Sequence, residues 1–197
     1  MNLLCRARMA LLPILTLALS GCLSMGQEPP SALLNLTATA QAAAGTEASG
    51  TKGASLVILD LQAPQKLDVT RVAVVTGDSS LAYLKNAQWV DKPADLFKGM
   101  LADTVRAKGT RLLLNGSDLE FSAASRLSGT LDAMDYDADD STVVVRFDAV
   151  LSDADGKVRT KRFEAVVDGV RPKPGPVAAA LNEAANKVAG EVAEWVG

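Results

Sequence analysis

T-V-V-V-R-F-D-A-V-L, residues 142–151, puts Val143, Val145, Phe147, Ala149 and Leu151 on one side and Arg146 and Asp148 on the other. Successive side chains of a strand point to opposite faces, so the alternation predicts a half-buried antiparallel strand with one polar face. Its neighbours extend the pattern. D-A-D-D-S (137–141) precedes it and D-A-D-G (153–156) follows it, and both have the composition of hairpin turns. Beyond the second turn, residues 157–167 place Phe163, Ala165 and Val167 inward and Arg162 and Glu164 outward. Before the first turn, residues 119–134 carry Leu119, Phe121, Ala123, Leu127 and Leu131 on one face. Three strands in a meander follow from these patterns.

A sheet with one apolar face needs a cover, and two segments can supply it. In residues 93–108, Leu96, Phe97, Met100, Leu101, Thr104 and Val105 recur at helical spacing between Pro93, suited to a first turn, and Gly109, suited to a C-terminal cap. Gly99 weakens this helix, a cost expected where another backbone packs closely. R-P-K-P-G-P (171–176) breaks the sheet, and residues 177–196 then form a second helix. Its narrow, Ala-rich stripe holds Leu181, Ala185, Val188, Val192 and Trp195. Residues 55–61 and 71–76 read as short buried strands, 81–90 as a strand or irregular hairpin and 111–115 as a strand after the helix. The expected fold is α+β: a single domain with a mixed, mostly antiparallel sheet packed with two long helices. No internal repeat is present.

The chain's beginning follows different rules. Residues 1–8 carry Arg6 and Arg8 and no acid, and residues 9–19 are apolar apart from Thr16. That run is shorter than the ~20 residues a stable membrane span requires, and with the basic flank it reads as a secretory signal. L-S-G-C, ending at Cys22, then matches the lipobox of bacterial lipoproteins at each position. This resemblance implies a diacylglyceryl thioether on Cys22, cleavage before it and N-acylation of its amino group. The expected division is therefore a signal peptide over 1–21, then a lipidated cysteine, Pro29-Pro30 tether, first strand (31–40) and flexible loop over 22–53, then the α+β domain over 54–197. Leu23, where inner-membrane retention would favour Asp, points to the outer membrane by resemblance to enterobacterial sorting. Cys5 leaves with the signal and Cys22 is consumed by lipid, so no disulfide and no cysteine metal site remains.

Composition narrows the chemistry. Without Arg6 and Arg8 the formal charge falls from −3 to −5, which argues against nucleic acid as a partner. The sequence has no histidine, which excludes Ser-His-Asp and Cys-His nucleophiles and every His-ligated metal site. Several short motifs lose to simpler readings. G-D-S (77–79) lacks the histidine that a GDSL-type lipase needs and reads as a turn. S-G-T-K (49–52) matches S-x-x-K, but it lies in a low-complexity loop with no S-D-N or K-T-G box after it. The acidic run 135–140 has Asp at positions 1, 3 and 5 of an EF-hand count. Position 6 is Asp140 rather than Gly and position 12 is Arg146 rather than Glu, so a solvated acidic hairpin is the simpler reading. Two formal sequons, at Asn35 and Asn115, carry little weight beside a bacterial lipobox. Tyr83 and Trp89, two of only eight aromatics, are candidates for partner binding, with a place in the core as the alternative. Trp195 has the same two readings.

Taken in order, the lipobox, the L-L-N-L segment, V-I-L-D-L-Q-A-P-Q-K-L-D-V-T-R-V-A-V, L-A-Y-L-K-N-A-Q-W-V-D-K-P-A-D-L-F and the closing A-L-N-E-A-A-N-K-V-A-G-E-V-A-E-W-V resemble the ABC-type transport auxiliary lipoprotein family. The resemblance runs over nearly all of the mature chain and departs mildly at Leu84, where relatives often have a second Tyr. It implies a non-ATPase subunit, with no enzymatic activity, of an MCE-type ABC transport system that moves phospholipid or other hydrophobic cargo across the envelope. The subunit would sit at the periplasmic face of the outer membrane and dock on the MCE protein. No cofactor is implied beyond the diacylglycerol and N-acyl lipid of Cys22, and homo-oligomers are left open. Two other readings compete: an adaptor lipoprotein regulating a cell-wall synthase, and a carboxylate enzyme of the glycosidase type. The second needs two convergent acids in a cleft, whereas the acids here fall in turns and on outward strand faces.

Overall fold

The computed structural model describes residues 32–77, 79–115 and 123–197. The expected signal peptide, Cys22, Pro29-Pro30, Asp78, Leu119 and Phe121 lie outside them. The elements in chain order are β1 (Ser55–Ile58), β2 (Arg71–Thr76), β3 (Ser80–Gln88), α1 (Pro93–Lys108), β4 (Leu112–Leu113), β5 (Ser125–Asp137), β6 (Thr142–Asp153), β7 (Val158–Val167) and α2 (Pro174–Val196). They build one seven-stranded mixed sheet with the two helices, the α+β class expected.

The meander is antiparallel, with Leu131 opposite Phe147 and Phe147 opposite Phe163. β5 runs three residues further than residue 134, so the turn shortens to 138–141. The added residues pair regularly up to Asp137 opposite Thr142, and a bulge shifts the register between Leu131 and Ala133. One extra residue reverses which side chains face inward. Leu127 and Leu131 face the core before it, and Met134 and Tyr136 after it, so simple alternation fails at that point. Gly129, two residues upstream, sits opposite Ala149. A Cβ there would lie 2.2 Å from the Asp148 carbonyl oxygen and 2.8 Å from the Phe147 ring. No other residue fits under that ring.

The second edge of β5 is shared. β1 pairs with its first residues and β2 with its last, both in parallel. Between them Leu59 N–H donates to Leu127 O, Gln62 N–H donates to Gly129 O, and Leu131 N–H donates to Gln62 O. Residues 55–76 thus form one interrupted strand along β5, with a loop over 63–70. The expected strand 55–61 ends at Ile58 because the chain turns outward at Asp60 and touches the sheet again only at Gln62. β4 extends β1, and β3 extends β2 at the opposite end.

Both helices cover the same face. Phe97 of α1 meets Phe147 edge-on at 5.4 Å, and Trp195 of α2 meets Phe163 edge-on at 5.7 Å. Helix α1 has the expected bounds, with Pro93 in its first turn and Gly109 in the left-handed conformation at its end. Gly99 contradicts its expectation: a Cβ there would meet nothing within 4 Å. Helix α2 begins at Pro174, because Pro174 and Pro176 fall in a first turn whose N–H groups have no helical partner anyway. Its buried stripe is broad rather than narrow. Ala180, Ala184, Ala189 and Ala193 widen it and let the helix lie close to β6 and β7. Trp195 sits on the flank of that stripe, half-buried.

Candidate functional site

Three features around the β3 edge and the helices stand apart from the packed core. The first contains the two aromatic candidates, which the structure separates by environment. Trp89 is 1% exposed, and its Nε1 has no hydrogen-bond partner among the described residues. It is a core residue as the domain stands and offers no surface to a partner. Its backbone is pinned at the sheet edge, where Leu34 N–H donates to Gln88 O and Val90 N–H to Leu34 O, and its side chain belongs to the main hydrophobic core. Tyr83 is half-buried, and the Arg71 guanidinium lies over its ring at 4.2 Å. Trp195 carries the Arg159 guanidinium at 5.1 Å.

The second feature is the segment from Leu34 to Ala40, expected as a first strand. It is extended and alternates, with Leu36 and Ala38 buried and Asn35, Thr37 and Thr39 exposed. It has one β-bridge, at Leu34, and no neighbouring strand after that. Its main chain is satisfied instead by two asparagines of α2. Thr37 N–H donates to Asn182 Oδ1 at 2.8 Å and Thr39 N–H to Asn186 Oδ1 at 2.7 Å. Asn186 Nδ2 donates to Thr37 O at 2.9 Å and to Asn182 O at 2.8 Å. The Asn186 amide therefore serves residues 37 and 39 as a neighbouring strand would. Asn is a weak helix former, and a pair four apart lies on one helix face. That pair within A-L-N-E-A-A-N-K was the available sequence signal.

The third feature is Asp135. By register it points away from the helices, yet it is 5% exposed. Lys66, from the 63–70 loop, pairs with its Oδ2, while Oδ1 has no partner among the described residues. Burial pushes this carboxyl above the ordinary aspartate range, and Lys66 opposes the shift. Three other acids of the meander, Asp132, Asp148 and Glu164, are more accessible and pair with arginines. Arg146 bridges Asp132 and Glu164, and Arg162 holds both oxygens of Asp148 at 2.6 Å. Arg162 keeps Asp148 below its ordinary range. In the acidic hairpin, Asp137 Oδ1 accepts from the N–H groups of Asp139 and Asp140, and Asp139 Oδ2 accepts from Gly77 N–H. Those carboxylates shape a turn.

Two grooves flank α1. One of about 320 Å³ lies between residues 35–41 and the α1 side chains Asp95, Leu96, Met100 and Asp103. The other, about 330 Å³, lies beside the 60–68 segment and contains the pairs Asp60–Lys98 and Asp68–Lys92 at its rim. Among the described residues no group of three acids suited to a metal occurs, and no helix is long and apolar enough to cross a membrane.

A family profile described as ABC-type transport auxiliary lipoprotein component matches residues 34–193. The chain belongs to that family. This auxiliary lipoprotein also shares its fold with solved structures. A Xanthomonas campestris protein of the family labelled DUF330 superposes with a TM-score of 0.68 at 16% identity, over 83% of this chain and 94% of that one. A second crystal structure, of an uncharacterized protein, gives 0.62 at 15% identity over 73% and 92%. No curated protein matches the sequence. The matched span begins at Leu34, where the Asn-bound segment begins, so that segment is part of the family's domain rather than of the tether.

Proposed function

We propose that this auxiliary lipoprotein is anchored by lipidated Cys22 at the periplasmic face of the outer membrane and docks on the MCE subunit of an ABC transport system that moves phospholipid or another hydrophobic cargo. Its role is mechanical and non-catalytic. The observation that carries the reading is the family match across residues 34–193, joined to the lipobox at 19–22. The absence of histidine and the pairing of the meander carboxylates across strands agree with a subunit that performs no chemistry. Both α1 grooves have charged groups at their walls, unlike the apolar lining that suits a hydrophobic cargo, which supports a docking role for this surface. The surface offered to that partner includes Tyr83 under Arg71.

In vivo crosslinking followed by recovery of a C-terminally tagged chain tests this directly. An MCE-domain protein and its ATPase in the recovered complex support the reading, and Tyr83→Ala should weaken that crosslink. A cell-wall synthase in their place, or no partner, overturns it.

A further inference from the structure

Among the described residues, three strands of the sheet have a neighbour on one side only: β3, β4 and β7. Such an edge presents unpaired N–H and C=O groups to any further strand, and charged side chains are the usual guard against it. β7 is guarded. Arg159, Lys161 and Arg162 fall within its first five residues, and two copies of that edge would set cations opposite cations. β4 has two residues only. β3 is bare over residues 80–84, S-L-A-Y-L, which carry no charge. Its main-chain direction follows from β2. Val75 O accepts from Ala138 N–H just past β5, so Val75 faces β5, and Val74 and Thr76 face their partners Ala82 and Ser80. Leu81 and Tyr83 therefore turn their N–H and C=O outward, where no described strand lies. Leu81 is 46% exposed and shares the face of Tyr83, and Ala82 is exposed on the other face. Beyond Leu84 the edge closes. The register with β2 breaks before Gln88, Asn86 is left-handed at φ 57°, and Gln88 O already accepts from Leu34 N–H.

We infer that residues 80–84 pair with the same stretch of a second copy of the chain, antiparallel and two-fold about Ala82. The main chain fits. Leu81 and Tyr83 of each copy face Tyr83 and Leu81 of the other as hydrogen-bonded pairs, and Ala82 meets Ala82 as the non-bonded pair between them. The side chains fit, because an aromatic residue opposite an aliphatic one is a favourable cross-strand pair. The length fits, since the irregular residues 85–87 of one copy pass beyond the regular stretch of the other. Charge fits as well. The register sets Lys85 of one copy level with Ser79 of the other, two residues from Gly77, whose N–H is held by the Asp139 carboxylate at 2.6 Å. Lys85 is exposed and has no ion pair among the described residues, so a symmetric pair of attractions spans the axis. The chain's own β3 supplies a neutral segment of the right length with a cation at its end, which favours a second copy over a strand of another protein. The joined sheet leaves the Arg71 side of each copy open, so the inference stands with or without the docking partner proposed above.

Cysteine crosslinking of the full chain, oxidised with diamide in intact cells, tests the register. Ser80→Cys, Ala82→Cys and Leu84→Cys are compared, and the wild type with its own Cys5 and Cys22 gives the background. None of the three side chains is buried, so the fold should persist. In the inferred pair the two Ala82 Cα atoms lie about 4.5 Å apart, within reach of a disulfide. Leu84 of one copy lies about 13 Å from Leu84 of the other, out of reach. Ala82→Cys should therefore give at least about tenfold more disulfide-linked dimer than Ser80→Cys or Leu84→Cys alone. Ser80→Cys and Leu84→Cys produced together should crosslink to each other. No dimer at Ala82→Cys, equal yields at all three positions, or capture of a different protein in place of a second copy overturns the inference. Adding Lys85→Glu to Ala82→Cys sets like charges together and should lower the yield at least about threefold. An unchanged yield overturns the register.

Discussion

The two edges of β5 are built by opposite means. Along one edge, β6 pairs from Ser125 to Asp137 with a single bulge, and a short turn joins the two strands. Along the other, β1, Gln62 and β2 share the work in parallel, and more than forty residues separate Asp137 from the last of them. Antiparallel neighbours close small loops, whereas parallel ones need long crossovers, so contacts on the second edge cost more chain entropy to form. The meander edge is dense and repetitive. The shared edge has gaps, and the irregular features cluster beside it: the 63–70 loop, buried Asp135 and the strand pair β2–β3 that carries Tyr83. Continuous pairing sits on one side of a single strand and interrupted pairing on the other.

The strongest way to break this contrast is at Gly129. Gly129→Val forces a side chain into the Asp148 carbonyl and the Phe147 ring, and the expected loss exceeds about 4 kcal/mol, read as failure to fold or as loss of the urea transition. Phe147→Ala, on the same edge, removes a fully buried ring and its contact with Phe97, and should cost about 3–5 kcal/mol in urea unfolding. On the shared edge, Lys66→Met leaves Asp135 buried without its cation and should cost roughly 3 kcal/mol. Adding Asp135→Asn should recover most of that loss. Recovery would show that the cost is the stranded charge rather than lost loop packing.

Titration sharpens the comparison further. Asp135 has a folded pKa above its unfolded value, so its contribution to stability is fully present below the unfolded pKa and is lost as pH rises through the folded one. Asp148 is shifted the other way. Its contribution is present above the unfolded value and is lost as pH falls through the depressed folded one. Urea unfolding from pH 3 to 7 should therefore show Asp135→Asn gaining on the wild type as pH rises, and Asp148→Asn losing ground. Parallel curves would mean that Asp135 is solvated. Arg162→Ala should have the smallest effect, and a smaller one still in high salt, because Arg162 is exposed.

The meander was legible from residues 142–167 because alternation, turn chemistry and short loops all act within neighbouring residues. Helix α1 was legible from its stripe and from Pro93 and Gly109. The parallel pairing of β1 and β2 with β5 was not, since a buried run such as residues 71–76 carries no mark of which strand lies beside it. The bulge after Leu131 escaped because an inserted residue looks like any other in a one-dimensional pattern. Gly99 misled because a glycine in a helix marks open space as readily as close packing. Trp89 and Tyr83 carry equal weight as letters. Only the folded chain shows that Trp89 enters the core while Tyr83 stays half-buried at its margin.

Asn182 and Asn186 hold the main chain of residues 37–39 together with the Thr39 hydroxyl, and the segment they hold repeats every second residue. In L-T-A-T-A, residues 36–40, small or apolar side chains alternate with threonines. A slip of two residues would set Ala38 and Ala40 in the seats of Leu36 and Ala38, with the N–H groups of Thr39 and Gln41 offered to the same two amides. Such a step would shift the segment by about 7 Å along its own axis. Leu36 is the one large side chain of the repeat, and the Thr39 hydroxyl donates to Asn186 Oδ1 at 3.0 Å; the slipped register would lose both, so they select the one observed.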